Sequence, residues 1–190
     1  MSRWLPRTYL TLVYLLLYVP IAVLVVFSFN DSRTGYEWGG LSLRWYEALF
    51  NNRAMVQAMW NSLWLALSAA TVSTLIGALT ALALHRYRFR GKQVLNGMLF
   101  IVMMSPEIVL AISLLGLFLM VGLQLGYVSL LLAHVTFCLP FVVITVMARL
   151  SGFDERLPEA ARDLGASDFT MTRTVLIPVI MPALLAGWLL

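Results

Sequence analysis

The stretch Leu63 to Leu84 reads LWLALSAATVSTLIGALTALAL, 22 residues without one Asp, Glu, Lys or Arg. A helix crossing the roughly 30 Å hydrocarbon core of a bilayer takes about 17–25 such residues. Four further stretches meet the same test: Thr8–Phe29, Met98–Val121, Val128–Ala148 and Thr174–Leu190. Three of these are also free of charge, and Met98–Val121 holds a single charged residue, Glu107. In lipid the backbone must satisfy its own hydrogen bonds, so only helices or closed barrels span. Barrel strands alternate over about ten residues, whereas these runs are apolar on every side. The fold class is therefore an all-α polytopic membrane protein with five visible spans.

Composition agrees. Of 190 residues, 61% are hydrophobic and only 12% charged, with a mean hydropathy of +0.88. Soluble domains carry roughly 25% charge, so this chain cannot cover a water-facing surface. That excludes an ordinary soluble enzyme, a disordered tail and a nucleic-acid binder. The first span is too long for a signal sequence, whose apolar core is about 7–15 residues, and no small-x-small cleavage site follows Phe29. It reads as a retained helix.

The basic pI near 9.6 is a matter of topology. Arg3 and Arg7 precede the first span, and His85–Gly97 packs Arg86, Arg88, Arg90 and Lys92 together. Arg149, Arg156, Arg162 and Arg173 fall in the connection 149–173. Those alternate segments carry 10 basic residues; Asn30–Ser62 between them carries Arg33, Arg44 and Arg53, and Gly122–Tyr127 none. The positive-inside rule places the N-terminus and both basic loops in the cytoplasm. In the outer Asn30–Ser62 connection, Leu43, Trp45, Tyr46, Leu49 and Phe50 predict a short interfacial helix, an anchor before it is a ligand site.

The connection 149–173 is dense in helix signals. Pro158 suits a first turn. Leu157, Ala160, Ala161 and Leu164 stand at i, i+3, i+4 and i+7 on one stripe, and Glu155, Arg162 and Asp163 lie off it. Gly165 reads as a C-terminal glycine, and Ser167 with Asp168 opens a second helix. Two short helices meeting at a glycine corner make a docking surface in form. An amphipathic helix lying on the bilayer has the same pattern.

Glu159-Ala160-Ala161, three residues, Gly165, nine residues and Val175-Leu176-Ile177-Pro178 resemble the EAA loop of ABC-importer inner-membrane permeases, the MetI-like fold. Val175 and Ile177 stand where Ile and Leu are usual. The resemblance implies that Glu159, Ala160, Ala161 and Gly165 form the coupling helix that sits on an ATPase subunit. Tyr87–Lys92, Met103–Val109 and His134–Phe141 further resemble the permeases of spermidine/putrescine importers. Implied with them are a second permease subunit in a heterodimer, two cytoplasmic ATPase subunits, a periplasmic polyamine-binding protein and the bacterial inner membrane. Such permeases have six spans, so residues 1–190 are expected to be one permease domain truncated before its last helix.

Glu107 is the tenth residue of its span, and an acid near the bilayer centre costs roughly 2.5–3.5 kcal/mol on insertion scales. A carboxylate on the substrate pathway would offset the desolvation of a polycation. Two other readings stand beside it: a protonated group hydrogen-bonded between helices, or a packing residue after a Pro106 kink. His134 reads as a neutral imidazole bonded to a neighbouring helix, His85 as a solvated loop residue, and Cys138 as a small packing residue. Pro140, Pro178 and Pro182 read as kinks.

An intramembrane enzyme would need a nucleophile–base pair or a metal constellation, and the spans hold no HExxH and no acidic pair. A scaffold would have no use for an EAA loop. The single Lys92 lies outside any Gly-x4-Gly-Lys-Ser/Thr phosphate loop. The chain is accordingly expected to be no enzyme and to bind no cofactor or metal itself, with ATP and Mg on its partners. An importer of another small solute is the alternative.

Overall fold

The computed structural model describes residues 4–154 and 156–190, and among them regular structure is helical apart from one isolated bridge, Asn30 to Leu41. Arg3 and Glu155 lie outside the described residues. The helices are α1 (Trp4–Phe27), α2 (Arg44–Asn51), α3 (Arg53–Arg86), α4 (Lys92–Met104), α5 (Glu107–Met120), α6 (Tyr127–Ser151), α7 (Arg156–Asp163), α8 (Asp168–Met171) and α9 (Ile177–Leu189). A π-helical turn, Thr172–Leu176, joins the last two. Among the described residues, four stretches are long and apolar enough to span a membrane, five if the bent pair α4–α5 counts as one. The chain organises into two units, one up to Asn61 and one from Ser62 onward.

In the first unit α1 is apolar around its whole circumference, as a lipid-facing helix must be. The connection after it is ordered by one buried side chain, Asn30. Its amide donates to the Glu37 carbonyl at 2.7 Å and its Oδ1 accepts from Gly39 N–H at 2.7 Å. Trp45 Nε1 donates to the Asn30 carbonyl at 3.0 Å. The short helix expected around Trp45 and Tyr46 is α2, but Met55, Met59 and Trp60 belong to α3 rather than to the loop. At about 1.5 Å per residue, the 34 residues of α3 far exceed the hydrocarbon thickness.

The second unit has one buried cluster. It joins Ala81 and Leu84 of α3, Leu99 of α4, Val142, Val143, Val146 and Leu150 of α6, and Ile180 and Ala183 of α9. Close approach is obtained with small residues. Ala69, Ser73, Gly77 and Ala81 are buried at intervals of four along α3, the spacing that lets membrane helices meet backbone to side chain. A Cβ on Gly77 would stand 2.7 Å from Val142 Cγ1, closer than atoms tolerate. Hydrogen bonds add to the fit: Trp188 Nε1 donates to Thr71 Oγ1 at 3.1 Å, and Tyr127 and Ser68 share their hydroxyls at 2.8 Å.

The one continuous span expected over Met98–Val121 is corrected by the structure. Helices α4 and α5 are bent by 115° at Ser105–Pro106. Pro106 has no N–H, and the residue before a proline is pushed out of the α region; Ser105 sits at ψ 135° and Pro106 at ψ 132°. Glu107 is thus the first residue of α5, not the interior of a straight helix.

Candidate functional site: a lone carboxylate and a glycine corner

Glu107 heads α5, with Pro106 as its N-cap residue. Its carboxylate is exposed, and among the described residues no hydrogen bond or ion pair engages it. It lines a groove of about 200 Å³ with Leu110, Ala111 and Leu114 of α5 and Ala133, His134 and Phe137 of α6. His134 Nδ1 lies 2.7 Å from the Leu130 carbonyl. A carbonyl only accepts, so Nδ1 is the donor of this bond. His134 is therefore tied to its own helix, not to a neighbouring one as the sequence suggested. Broken backbone at membrane depth is tolerated only inside protein or beside a water-filled cavity. Glu107 stands at the break between α4 and α5.

The second set of candidates lies in α7 and the corner after it. Gly165 takes φ +83°, a left-handed conformation that β-carbon sterics disfavour. Around it the Gly165 N–H donates to the Arg162 carbonyl at 2.8 Å and the Ala166 N–H to the Ala161 carbonyl at 3.0 Å. That pair of bonds is the Schellman arrangement that ends a helix at glycine. Ser167 then caps α8, its Oγ accepting from Thr170 N–H at 3.2 Å. Of the anticipated apolar stripe, Ala161 packs on the buried cluster. Leu157, Ala160 and Leu164 remain exposed, Leu164 at 90%. Glu159 is exposed too and borders a cleft of about 210 Å³ with His85, Arg86, Arg162 and Met171. His85 is half-buried there.

One residue missed as a site joins this corner to the spans. Asp168 Oδ1 accepts from Arg86 at 2.7 Å and from Arg162 at 3.3 Å. The last turn of α3, the loop helix α7 and the start of α8 thus share one carboxylate oxygen. From α8 the chain runs through the π turn into α9. Ile177 N–H donates to Thr172 five residues back, and Pro178, lacking an N–H, leaves the Thr174 carbonyl without its usual helical donor. Arg149 Nε donates to the Val179 carbonyl at 3.1 Å, tying α6 to the same segment.

A set of apolar helices of spanning length, one of them broken, with an exposed glycine-ended helix beyond them is the architecture of an integral membrane protein. The family model for the binding-protein-dependent transport system inner membrane component matches residues 73–190, and the chain belongs to that family. It is a multi-pass inner-membrane permease and not an enzyme. Among its relatives, the spermidine/putrescine transport system permease protein PotC of Haemophilus influenzae is 56% identical over 191 residues, covering all of this chain and 74% of the relative. PotC of Escherichia coli K12 is 57% identical over 189 residues, covering all of this chain and 72% of the relative. The putrescine transport system permease protein PotI of the same strain is 38% identical, over 95% of this chain and 67% of its own length.

Proposed function

We propose that the chain is the permease subunit of an ATP-driven importer that takes up spermidine and putrescine by alternating access. The observation that carries the solute is the 57% identity, over the whole chain, to a permease named for spermidine and putrescine transport. The chemistry of the Glu107 groove is in keeping with it. An unpaired carboxylate offsets the desolvation of a polyamine ammonium, and Phe137 on the wall adds an aromatic face worth about 0.5–2 kcal/mol to a cation.

In this reading Glu107 belongs to the substrate pathway, and Glu159, Ala160, Ala161 and Gly165 form the coupling helix seated on an ATPase subunit. The partners are a second permease subunit, two ATPase subunits and a periplasmic polyamine-binding protein. ATP and Mg are held by the ATPases, and this chain binds no cofactor. Closure of the ATPase dimer moves α7, and the Arg162–Asp168–Arg86 bridge carries that motion to α3 and α9. The N-terminus lies in the cytoplasm, with 10 of the 13 basic residues on that side.

Uptake of radiolabelled spermidine by cells expressing the complete transporter tests this. Unlabelled putrescine should compete and neutral amino acids should not. Absence of spermidine and putrescine uptake would refute the assignment. A second reading keeps the fold and narrows the solute to putrescine alone, as the name of the 38% identical relative suggests; spermidine would then fail to compete with putrescine.

A further inference from the structure

The segment between α3 and α4 carries Arg88, Arg90 and Lys92, none of which serves the coupling corner. Arg88 and Arg90 are exposed, and among the described residues neither has a hydrogen bond or ion pair. Lys92 is half-buried with its ammonium 3.4 Å from the Tyr87 carbonyl. A tight turn places them around one concavity of about 530 Å³: Gly91 takes φ +96°, and the Lys92 N–H donates back to the Phe89 carbonyl at 3.3 Å. No acidic residue occurs anywhere between Glu47 and Glu107. Arg86, the remaining cation of the loop, is occupied by Asp168.

What adjoins this basic cup is apolar. Val94, Met98 and Ile101 follow at i, i+4 and i+7, one face of α4, and are 66%, 59% and 64% exposed. Phe89 and Tyr87 are exposed beside the cations, the mixture found where a chain meets the membrane–water boundary. A cationic cup continued by an apolar stripe is complementary to a molecule with an anionic head and a hydrocarbon tail.

We propose that this loop and the exposed face of α4 bind an anionic phospholipid, the phosphate held by Arg88, Arg90 and Lys92 and an acyl chain laid along Val94, Met98 and Ile101. Juxtamembrane basic clusters attract acidic headgroups, and the stripe distinguishes a lipid from a free phosphate. The site is separate from Glu107 and from the coupling corner, and it does not depend on which solute is transported.

The test is native mass spectrometry of the purified transporter, all subunits co-expressed, titrated with phosphatidylglycerol or phosphatidylcholine of the same chain length. Retention should favour phosphatidylglycerol by about tenfold. R88Q/R90Q/K92Q should abolish that preference, while R88K/R90K and the outer-loop control R33Q/R53Q keep it. Excess inorganic phosphate should not displace the lipid, and a short-chain phosphatidylglycerol should be retained more weakly. Equal retention of the two lipids by the unmodified transporter would overturn the proposal without recourse to any variant. So would an unchanged preference in the triple variant, displacement by inorganic phosphate, or indifference to chain length.

Discussion

Glu107 and Asp168 are both carboxylates in the first turn of a helix, each just after a break in the chain. Their surroundings differ completely. Asp168 is held by two guanidiniums from two other helices, whereas among the described residues Glu107 has no polar partner and faces a groove with His134 and Phe137. A charge neutralised within the fold works as a strut. A charge left without a partner beside membrane-spanning helices is costly, and a cationic solute is one group that can offset that cost. Under the proposed function, the same functional group serves two tasks, Glu107 meeting the solute and Asp168 bracing the loop that would receive the ATPase stroke.

The largest effect should come from removing the unpaired charge. Glu107→Gln keeps shape and removes a charge-assisted contact worth about 1.5–3 kcal/mol, so polyamine uptake should fall about ten- to a hundredfold. Basal ATPase activity and subunit assembly should stay intact, and Glu107→Asp should recover part of the loss. Unchanged uptake by Glu107→Gln would remove Glu107 from the pathway.

Next in size is the corner that Asp168 serves. Gly165→Val puts a β-branched residue where φ is +83°, which breaks the Schellman bonds that aim α7. About a tenfold drop in uptake is expected, with ATP hydrolysis no longer answering to the loaded binding protein. Normal coupling in reconstituted complexes would count against α7 as the docking helix.

Asp168→Asn should be milder, a loss of about two- to fivefold, because Asp168 is a largely exposed ion-pair partner and such pairs are individually weak. Combined with Arg86→Gln it should cost little more than either change alone, since both cut the same link. Fully additive losses would show that the bridge transmits nothing.

The smallest functional effect belongs to packing that touches neither carboxylate. Gly77→Ala sets a methyl against Val142 and should destabilise the purified protein by about 1–3 kcal/mol, read by thermal unfolding in detergent. Val142→Ala should rescue it. Uptake per folded molecule should be unaffected.

Much of this architecture was legible because lipid imposes a simple rule: uncharged runs of spanning length become helices. The glycine corner was equally legible, since Gly165, Ser167 and Asp168 are local signals acting on their immediate neighbours. What escaped was long-range or depended on backbone direction. The Asp168–Arg86 pair joins residues 82 apart, and nothing in either neighbourhood marks them as partners. No local pattern marks Asn30, yet its buried amide holds the loop after α1. Ser105–Pro106 carried the signal for a break, but hydropathy on both sides masked a 115° bend. Helix α3 begins at Arg53, ten residues ahead of the uncharged run from Leu63, because its first turns carry polar residues that hydropathy alone does not count.

If Glu107 meets the solute and Asp168 does not, the two carboxylates respond differently to the charge of the polyamine. That difference is tested most directly by comparing spermidine with putrescine uptake in liposomes holding the complete transporter, for Glu107→Gln and Asp168→Asn side by side. Spermidine carries one more positive charge, so Glu107→Gln should impair spermidine uptake more than putrescine uptake. Asp168→Asn should lower both by the same factor. Equal losses of the two polyamines in Glu107→Gln, or a charge-dependent loss in Asp168→Asn, would contradict the division of labour between the two carboxylates.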